Sequence, residues 1–348
     1  MKPMYIIIDG SSMLSTNYYG TLPREMLFAK TDEEKEKLYH KIMQTKDGVY
    51  TNGVFTSVKQ ILSMVANQKP EGIIVVLDRS RNTFRRELYP EYKAQRGGTP
   101  LPLKEQFGTF AEVLEEMGIP TYSSDKYEAD DLAGAIAKQL EAAGKTCALI
   151  SGDKDYYQLV TPKTSLWRII PSTARAKYES AYNMNFDEYT AANNLPAAMF
   201  ETKYGDGILA EGAFCLLNPE QFVDYLAVVG DKSDNIPGVD RVGPMTIIPL
   251  LLEYGSLDNI YSVIEAAAKE EKTKELAKEW KEKLAIKTNP INAFIKNKDN
   301  AILSRKLAKI ETNVDCVGDV SDYVLNINEQ GLNSVITKYE MWSLRGMI

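Results

Sequence analysis

The chain has 348 residues, 44% of them hydrophobic, which is enough for one large domain or two modest ones around a buried core and excludes disorder or a fibre. Its apolar stretches fall short of the roughly 20 residues that cross a bilayer, and Met1 to Asp9 is too short and too soon acidic for a signal peptide, so a cytoplasmic protein with no membrane partner is expected. The net charge of −7 argues at first against a polyanionic partner, but Arg79 to Lys104 holds seven basic residues against two acids, so the sum hides a local cationic segment.

Three cysteines (Cys147, Cys215, Cys316) lie far apart with no CxxC pattern, which speaks against a zinc knot or a disulfide framework and fits a reducing compartment. The single histidine, His40, sits among charged residues. Histidine-ligated metals, histidine bases and serine–histidine triads are therefore disfavoured, and catalysis is left to carboxylates, lysines, arginines or tyrosines.

Along the chain, Tyr5 to Asp9 is a β-branched run ending in Asp-Gly. Gly72 to Asp78 is a second such run and Thr146 to Asp153 a third, and each ends in aspartate. Helical patterns cover Gly53 to Ala66, Leu103 to Met117 and Ala129 to Ala143. Fully apolar strands alternating with helices predict an α/β fold with a parallel sheet covered on both faces. Such sheets bind ligands at the carboxyl ends of their strands, which would gather Asp9, Asp78, Asp153 and Asp155 on one edge.

Glu25 to Gln44 is charge-rich, and Thr31 three residues before Glu34 predicts a capping box on a short exposed helix. Past residue 160 the alternation fades. Phe222 to Tyr254 predicts two helices joined by Ser-Asp-Asn-Ile-Pro-Gly-Val, with Gly243 before the second, as the start of a helical subdomain. Ser262 to Ile286 interleaves Lys and Glu at helical spacing, the last thirty residues show only weak pattern, and no internal repeat is found.

The acids worth weighing are Asp9, Asp78, Glu128, Asp130, Asp131, Asp153, Asp155, Asp231 and Asp234. Asp153 and Asp155, two apart at a strand end, are expected to point to one side. Glu128 is expected just before its helix, beside Asp130. Two like charges about 4 Å apart repel by roughly 4 kcal/mol at an effective dielectric of 20, so converging acids need cations. All-oxygen ligation selects hard ions such as Mg²⁺ or Mn²⁺, and a pair of them suits phosphodiester hydrolysis, one activating water and both stabilising the leaving oxygen. A lone strand-end aspartate is more often a turn or helix cap; for Asp131 and Asp234 a capping or supporting role stands level with direct ligation.

Arg79 to Arg96 interleaves cations with Phe84, Tyr89 and Tyr92, a mixture suited to gripping phosphates and stacking bases, although a solvated basic loop would read similarly. Lys93 and Arg85 are placed to hold a scissile phosphate. In Gly230 to Gly243 the glycines are expected to leave backbone N–H groups free for phosphate, though a helix–turn–helix pair alone is as readily packing as binding.

Together these motifs resemble the 5′-nuclease superfamily: flap endonucleases, phage 5′→3′ exonucleases and the 5′-nuclease domain of bacterial DNA polymerase I. The resemblance rests on Ile8-Asp-Gly, Thr51-Asn-Gly-Val-Phe, Leu77-Asp78 with Thr83 to Arg96, Tyr127-Glu-Ala-Asp-Asp131, Ser151-Gly-Asp-Lys-Asp155 with Tyr157-Gln-Leu, Phe222 to Val239, and Ala301 to Thr312. It spans roughly residues 4 to 316 with the motifs in order.

The resemblance implies a PIN-like domain, its central mainly parallel sheet flanked by helices, with a helical helix–three-turn–helix subdomain. In its terms residues 1–170 form the nuclease core with a basic arch at about 79–107, 171–221 a connector with insertions, 222–316 the duplex-binding subdomain and 317–348 a tail. Asp78, Glu128, Asp130 and Asp9 would line one Mg²⁺ site and Asp153, Asp155 and Asp231 another, with Asp131 and Asp234 nearby and Mn²⁺ able to substitute. Lys93 and Arg85 would act in catalysis. Arg81, Arg86, Tyr92, Arg96, Gly238, Val239 and Gly243 would contact DNA, with a K⁺ ion as an option in the helix–three-turn–helix.

The implied enzyme is a metal-dependent 5′→3′ exonuclease and flap endonuclease, a monomer of a bacterial cell or phage-infected host. It would act on branched, flapped or 5′-recessed duplex DNA in replication or repair, with RNA–DNA hybrids and replication proteins as further partners. Departures from the family pattern are insertions at about 25–44, 172–198 and 206–217, Met245 where lysine is usual, and Pro249 inside the second helix of the duplex-binding element, which removes an N–H and is expected to disturb the helix. Two rival classes stay open: a DNA-binding protein without turnover, and a PIN-like ribonuclease. Cleavage of labelled 5′-flap DNA against single-stranded RNA, with and without EDTA, separates all three.

Overall fold

The structure is a computed structural model that describes residues 5–168, 187–189, 217 and 219–347. Cys215 and most of the expected insertions at 172–198 and 206–217 lie outside the described residues. The chain divides into two compact units: unit 1 comprises Met1–Arg81, Gly97–Asp153 and Glu311–Ile348, and unit 2 comprises Asn82–Arg96 and Lys154–Ile310.

Unit 1 is built on four parallel strands, β1 (Tyr5–Asp9), β2 (Gly72–Asp78), β3 (Thr121–Ser124) and β4 (Cys147–Ile150), in the order β3-β2-β1-β4. Every residue of β1 is buried and so are the first six of β2, because both sheet faces are covered; each such aliphatic side chain contributes about 1.5–3 kcal/mol by leaving water. The helices in chain order are α1 (Gly10–Gly20), α2 (Arg24–Phe28), α3 (Asp32–Glu36), α4 (Asn52–Gln68), α5 (Phe84–Leu88, in unit 2), α6 (Leu101–Glu116) and α7 (Ala129–Ala142). Helix α7 packs against all four strands with Leu132, Ile136 and Leu140 buried, while α1 packs on β1 and β2 and carries α4 and α6. The register pairs Asp9 with Val76 and Asp78 with Ser124, which places Asp9, Asp78 and the turn after Ile150 on one carboxyl edge.

The expected capping box is present: Thr31 Oγ1 accepts from the Glu34 N–H at 3.2 Å, and Glu34 Oε2 accepts from the Thr31 N–H. Residues 317–347 are tied into unit 1. The Leu325 N–H donates to the Glu71 carbonyl, the Asn328 N–H donates to the Met117 carbonyl, and a helix over Glu329–Lys338 packs on α6.

Unit 2 is mainly helical, with helices over Gln221–Val229, Pro244–Tyr254, Leu257–Lys269, Thr273–Lys283, Ile291–Lys296 and Lys298–Ala308, and an antiparallel pair β5 (Thr164–Arg168) and β6 (Asp187–Tyr189). The helix over Pro244–Tyr254 runs on through the buried Pro249, so the expected interruption does not end it. Among the described residues no helix is long and apolar enough to cross a membrane.

Candidate active site

Asp9 ends β1 and caps α1, its Oδ1 accepting from the Ser12 N–H at 2.9 Å, and its Oδ2 accepts from the Ser151 hydroxyl at 2.8 Å. Only 7% exposed, it is pushed by burial, and then by the negative charge of Asp78, from the ordinary 3.8 up to about 7; Asp153 adds to the rise, while the Ser12 and Ser151 hydrogen bonds oppose it. Asp78 ends β2 exposed, and its Oδ1 accepts from the Ala129 N–H at 3.0 Å, which ties it to the start of α7.

Glu128 stands at the N-cap of α7, as its spacing from Asp130 and Asp131 predicts, and is buried. Asp131 is fully buried. Its Oδ2 accepts from the Glu128 N–H at 3.0 Å and its Oδ1 from the Glu311 N–H at 2.7 Å, so its carboxylate fastens the helix start to the returning chain. Asp130 Oδ1 accepts from the Asp131 N–H at 2.8 Å.

One expectation about geometry is corrected. The strand ends at Ile150 rather than at Asp153, and Asp155 lies in a 3₁₀ turn over Lys154–Leu159, so the alternation of a strand does not set the directions of Asp153 and Asp155. Asp153 is exposed, and its N–H donates to Ser151 Oγ at 3.0 Å. Among the described residues no group of three or more His, Cys, Asp or Glu side chains is gathered at metal-ligating distance.

In unit 2, Asp155 and Asp231 are both buried, and the Lys154 ammonium bonds to each: it stands 3.3 Å from Asp155 Oδ1 and also contacts Asp231 Oδ2. Asp231 Oδ1 accepts from the Ser233 N–H at 2.7 Å and the Ser233 hydroxyl at 2.6 Å. Burial pushes the Asp231 carboxyl up, but the Lys154 and Ser233 hydrogen bonds outweigh it and hold the group below its ordinary value.

Asp234, also buried, collects the Tyr92 hydroxyl at 3.3 Å, the Lys93 ammonium at 3.5 Å, the Ser233 hydroxyl at 3.3 Å and the Arg96 guanidinium. Around it the Asn235 amide donates to the Glu91 carbonyl at 2.8 Å, so the segment 89–96 is docked onto the turn that follows the helix over Gln221–Val229.

Three expectations about the residues assigned to substrate change here. Tyr92 is 4% exposed and spent on Asp234, so it has no open face on which a base can stack. Gly238 takes φ of +70°, and a Cβ there would lie 2.6 Å from the Val228 carbonyl oxygen. Its N–H donates to Ser304 Oγ at 2.9 Å and that of Val239 to the Val228 carbonyl at 2.7 Å, so neither is free for phosphate, because the tight turn spends them internally. Arg85 is 1% exposed; its Nε donates to the Leu307 carbonyl at 2.9 Å and its Nη2 to the Lys309 carbonyl at 2.8 Å, at the end of the helix over Lys298–Ala308. Arg81 is exposed and donates to the Gly97 carbonyl at 3.1 Å; Arg86 is half-buried, and Gly243 caps the helix over Pro244–Tyr254.

Sequence reasoning passed over Ser151, Lys154 and Ser233, the polar partners of the acids. All three lie inside the motifs that carry the resemblance, and their signal was an aspartate within two residues.

Residues 4–189 match the family model described as 5′-3′ exonuclease, N-terminal resolvase-like domain, and residues 217–330 match 5′-3′ exonuclease, C-terminal SAM fold. The chain is 33% identical over 325 residues to DNA polymerase I of Streptococcus pneumoniae, an alignment that covers 93% of this chain but 30% of the polymerase. It is 30% identical over 322 residues to a 5′-3′ exonuclease of Buchnera aphidicola, covering 92% of this chain and 91% of the relative. The chain thus spans about a third of the polymerase relatives and nearly all of the stand-alone one. Among solved structures, T5 5′-exonuclease with bound divalent metal ions (zinc) aligns with a TM-score of 0.55 at 20% identity over 97% of this chain and 98% of that one. The catalytic core of Rad2 in complex with DNA substrate aligns at 0.54 and 13% identity over 100% and 93%. Both likenesses are of fold.

Proposed function

The chain belongs to the 5′-3′ exonuclease family, and from that premise we propose that it is a Mg²⁺-dependent 5′ nuclease that cuts branched or 5′-recessed duplex DNA near a 5′ end. The observation that carries the reading is Asp9: a carboxyl at the carboxyl edge of the sheet, raised to about 7 by burial and then by Asp78. A carboxyl raised by burial, and then by a second negative charge beside it, gains most from a cation.

The donor set supports a hard ion. Asp9, Asp78, Glu128 and Asp130 in unit 1 offer only oxygen, and Asp155 and Asp231 offer the same in unit 2, with no His or Cys beside any of them in sequence. We assign the first four to one ion, whose binding would have to draw their carboxylates in to ligating distance, and the unit 2 pair to a second, with Asp153 on the edge that carries Asp9. When bound, such ions supply an activated water and charge stabilisation of the leaving oxygen.

This chain's own residues do the rest. Ser12 and Ser151 hold the Asp9 oxygens in a fixed orientation, and the N–H at the start of α7 does the same for Asp78. Asp131, its oxygens spent on backbone N–H groups, positions Glu128 and Asp130 instead of ligating. Lys93, held by Asp234 in a left-handed backbone conformation (φ 53°), and Arg96 present positive charge for a scissile phosphate. Hydrolysis places a water oxygen on phosphorus and breaks the bond to the 3′ oxygen, leaving a 5′-phosphate and a 3′-hydroxyl.

The test is cleavage of a 5′-labelled flap duplex, a 5′-recessed duplex and a single-stranded RNA, each with Mg²⁺ or EDTA, by wild type and Asp78→Asn. Expected are Mg²⁺-dependent cuts in both duplexes, with turnover lowered at least about a hundredfold in the variant. Cleavage confined to the RNA, or unaltered by EDTA, would overturn the proposal; the length of the first flap product tells endonucleolytic from stepwise cutting.

A further inference from the structure

Lys154 lies between two aspartates in sequence and bonds to a buried pair in space. Its side chain is 34% exposed, those of Asp155 and Asp231 are 11% and 7%, and its ammonium contacts Oδ1 of the first and Oδ2 of the second. The other oxygen of Asp231 is already spent, accepting both the N–H and the hydroxyl of Ser233. The Asp231 oxygen on which a cation would be received is therefore the one that the ammonium holds.

We infer that Lys154 is a resident counter-ion for the Asp155–Asp231 pair, which a divalent ion must displace in order to bind there. The inference rests on the assignment of that pair to an ion made above. Two buried carboxylates without a cation would repel each other and oppose folding, so a tethered ammonium keeps the ion-free protein folded. A divalent ion brings twice the charge to the same oxygens and prevails when present. Its affinity is lowered by the competition, and the ammonium swings into solvent on a flexible four-carbon stem, where it adds positive charge beside the carboxylates.

The experiment is Mn²⁺ titration of the full chain, read by the loss of the free-ion paramagnetic resonance signal, for wild type, Lys154→Met and Lys154→Arg, with melting temperatures in EDTA and in Mn²⁺. Lys154→Met is expected to bind one ion about threefold to fivefold more tightly, the shift expected from removing a part-exposed competing charge. It is also expected to melt below wild type in EDTA and to regain the difference in Mn²⁺. Lys154→Arg, which keeps the charge, stays near wild type. Equal or weaker binding by Lys154→Met overturns the inference.

A second measurement needs no variant. In the wild-type chain an amine-acylating reagent with peptide mass analysis should label Lys154 several-fold more with Mn²⁺ present than in EDTA, and labelling that is unchanged or falls overturns the inference. A wild-type chain that binds no Mn²⁺ sinks the underlying metal assignment. Wild-type binding of two ions with no gain on losing Lys154 sinks the displacement alone.

Discussion

Lys93 donates its backbone N–H to the carbonyl of Asp234 at 2.9 Å and holds its ammonium 3.5 Å from the carboxylate of the same residue, so one aspartate fixes both the backbone and the charge of the cationic segment. The same carboxylate takes Tyr92 and Arg96. Asp234→Ala leaves a buried hydroxyl and two cations without that partner, at a cost of about 2–3 kcal/mol. The expected outcome is a lower urea midpoint together with at least a tenfold or so loss of kcat on flap DNA, since on the proposed function a displaced cationic segment would no longer meet the phosphate in the transition state. Asp234→Asn keeps an acceptor for Tyr92 and should recover about half of the stability but little of the rate. A variant with wild-type kcat would show that the docking is dispensable.

Asp9 gives the ion-free protein a pH dependence of definite sign. Below its ordinary value of 3.8 the carboxyl is protonated in both the folded and the unfolded chain, and the fold's preference for the neutral form is kept in full. From there to about 7 the unfolded chain ionises first, so this residue's contribution is lost as pH rises, by up to roughly 4 kcal/mol. Asp9→Asn mimics the neutral form and removes the slope. In EDTA it should match wild type near pH 4 and exceed it at pH 8, and Mg²⁺ should raise the wild-type melting temperature more than the variant's. Parallel pH curves for the two proteins would refute the reading.

The carboxyl edge was legible because its elements announce themselves: Tyr5 to Asp9 and Gly72 to Asp78 are buried runs that end in aspartate, and Glu128 reads as the residue before its helix because inside the helix it would share a face with Asp131 and leave Asp130 pointing away. The end of β4 was not legible, since Ser-Gly-Asp continues an apolar run without saying where strand pairing stops; the ladder stops at Ile150. Nor was the fate of the Gly238 and Val239 N–H groups, whose acceptors are Ser304, 66 residues away, and Val228. The weak pattern after residue 317 hid a helix because its positioning is tertiary: Gly331 lies so close to α6 that a Cβ there would fall 1.7 Å from the Glu116 carbonyl oxygen. A contact between segments remote in the chain leaves no period in either one.

Arg85 shows the same limit in a single residue. The resemblance assigns it to phosphate, yet its guanidinium is 1% exposed and shares two of its donors between the carbonyls of Leu307 and Lys309, with the Phe84 ring 4.6 Å from its carbon. Those carbonyls end a helix and have no partner further along it, so the planar fork closes the helix terminus in addition to any role toward substrate. Arg85→Ala removes two charge-assisted bonds and leaves a void, and is expected to destabilise the fold by about 3 kcal/mol or more. Arg85→Lys can reach one carbonyl but not both in the same geometry, and about 2 kcal/mol should be lost. Urea unfolding of the two variants measures this directly. A surface arginine gripping only phosphate would leave both unfolding free energies within about 0.5 kcal/mol of wild type, and that result would return Arg85 to the substrate alone.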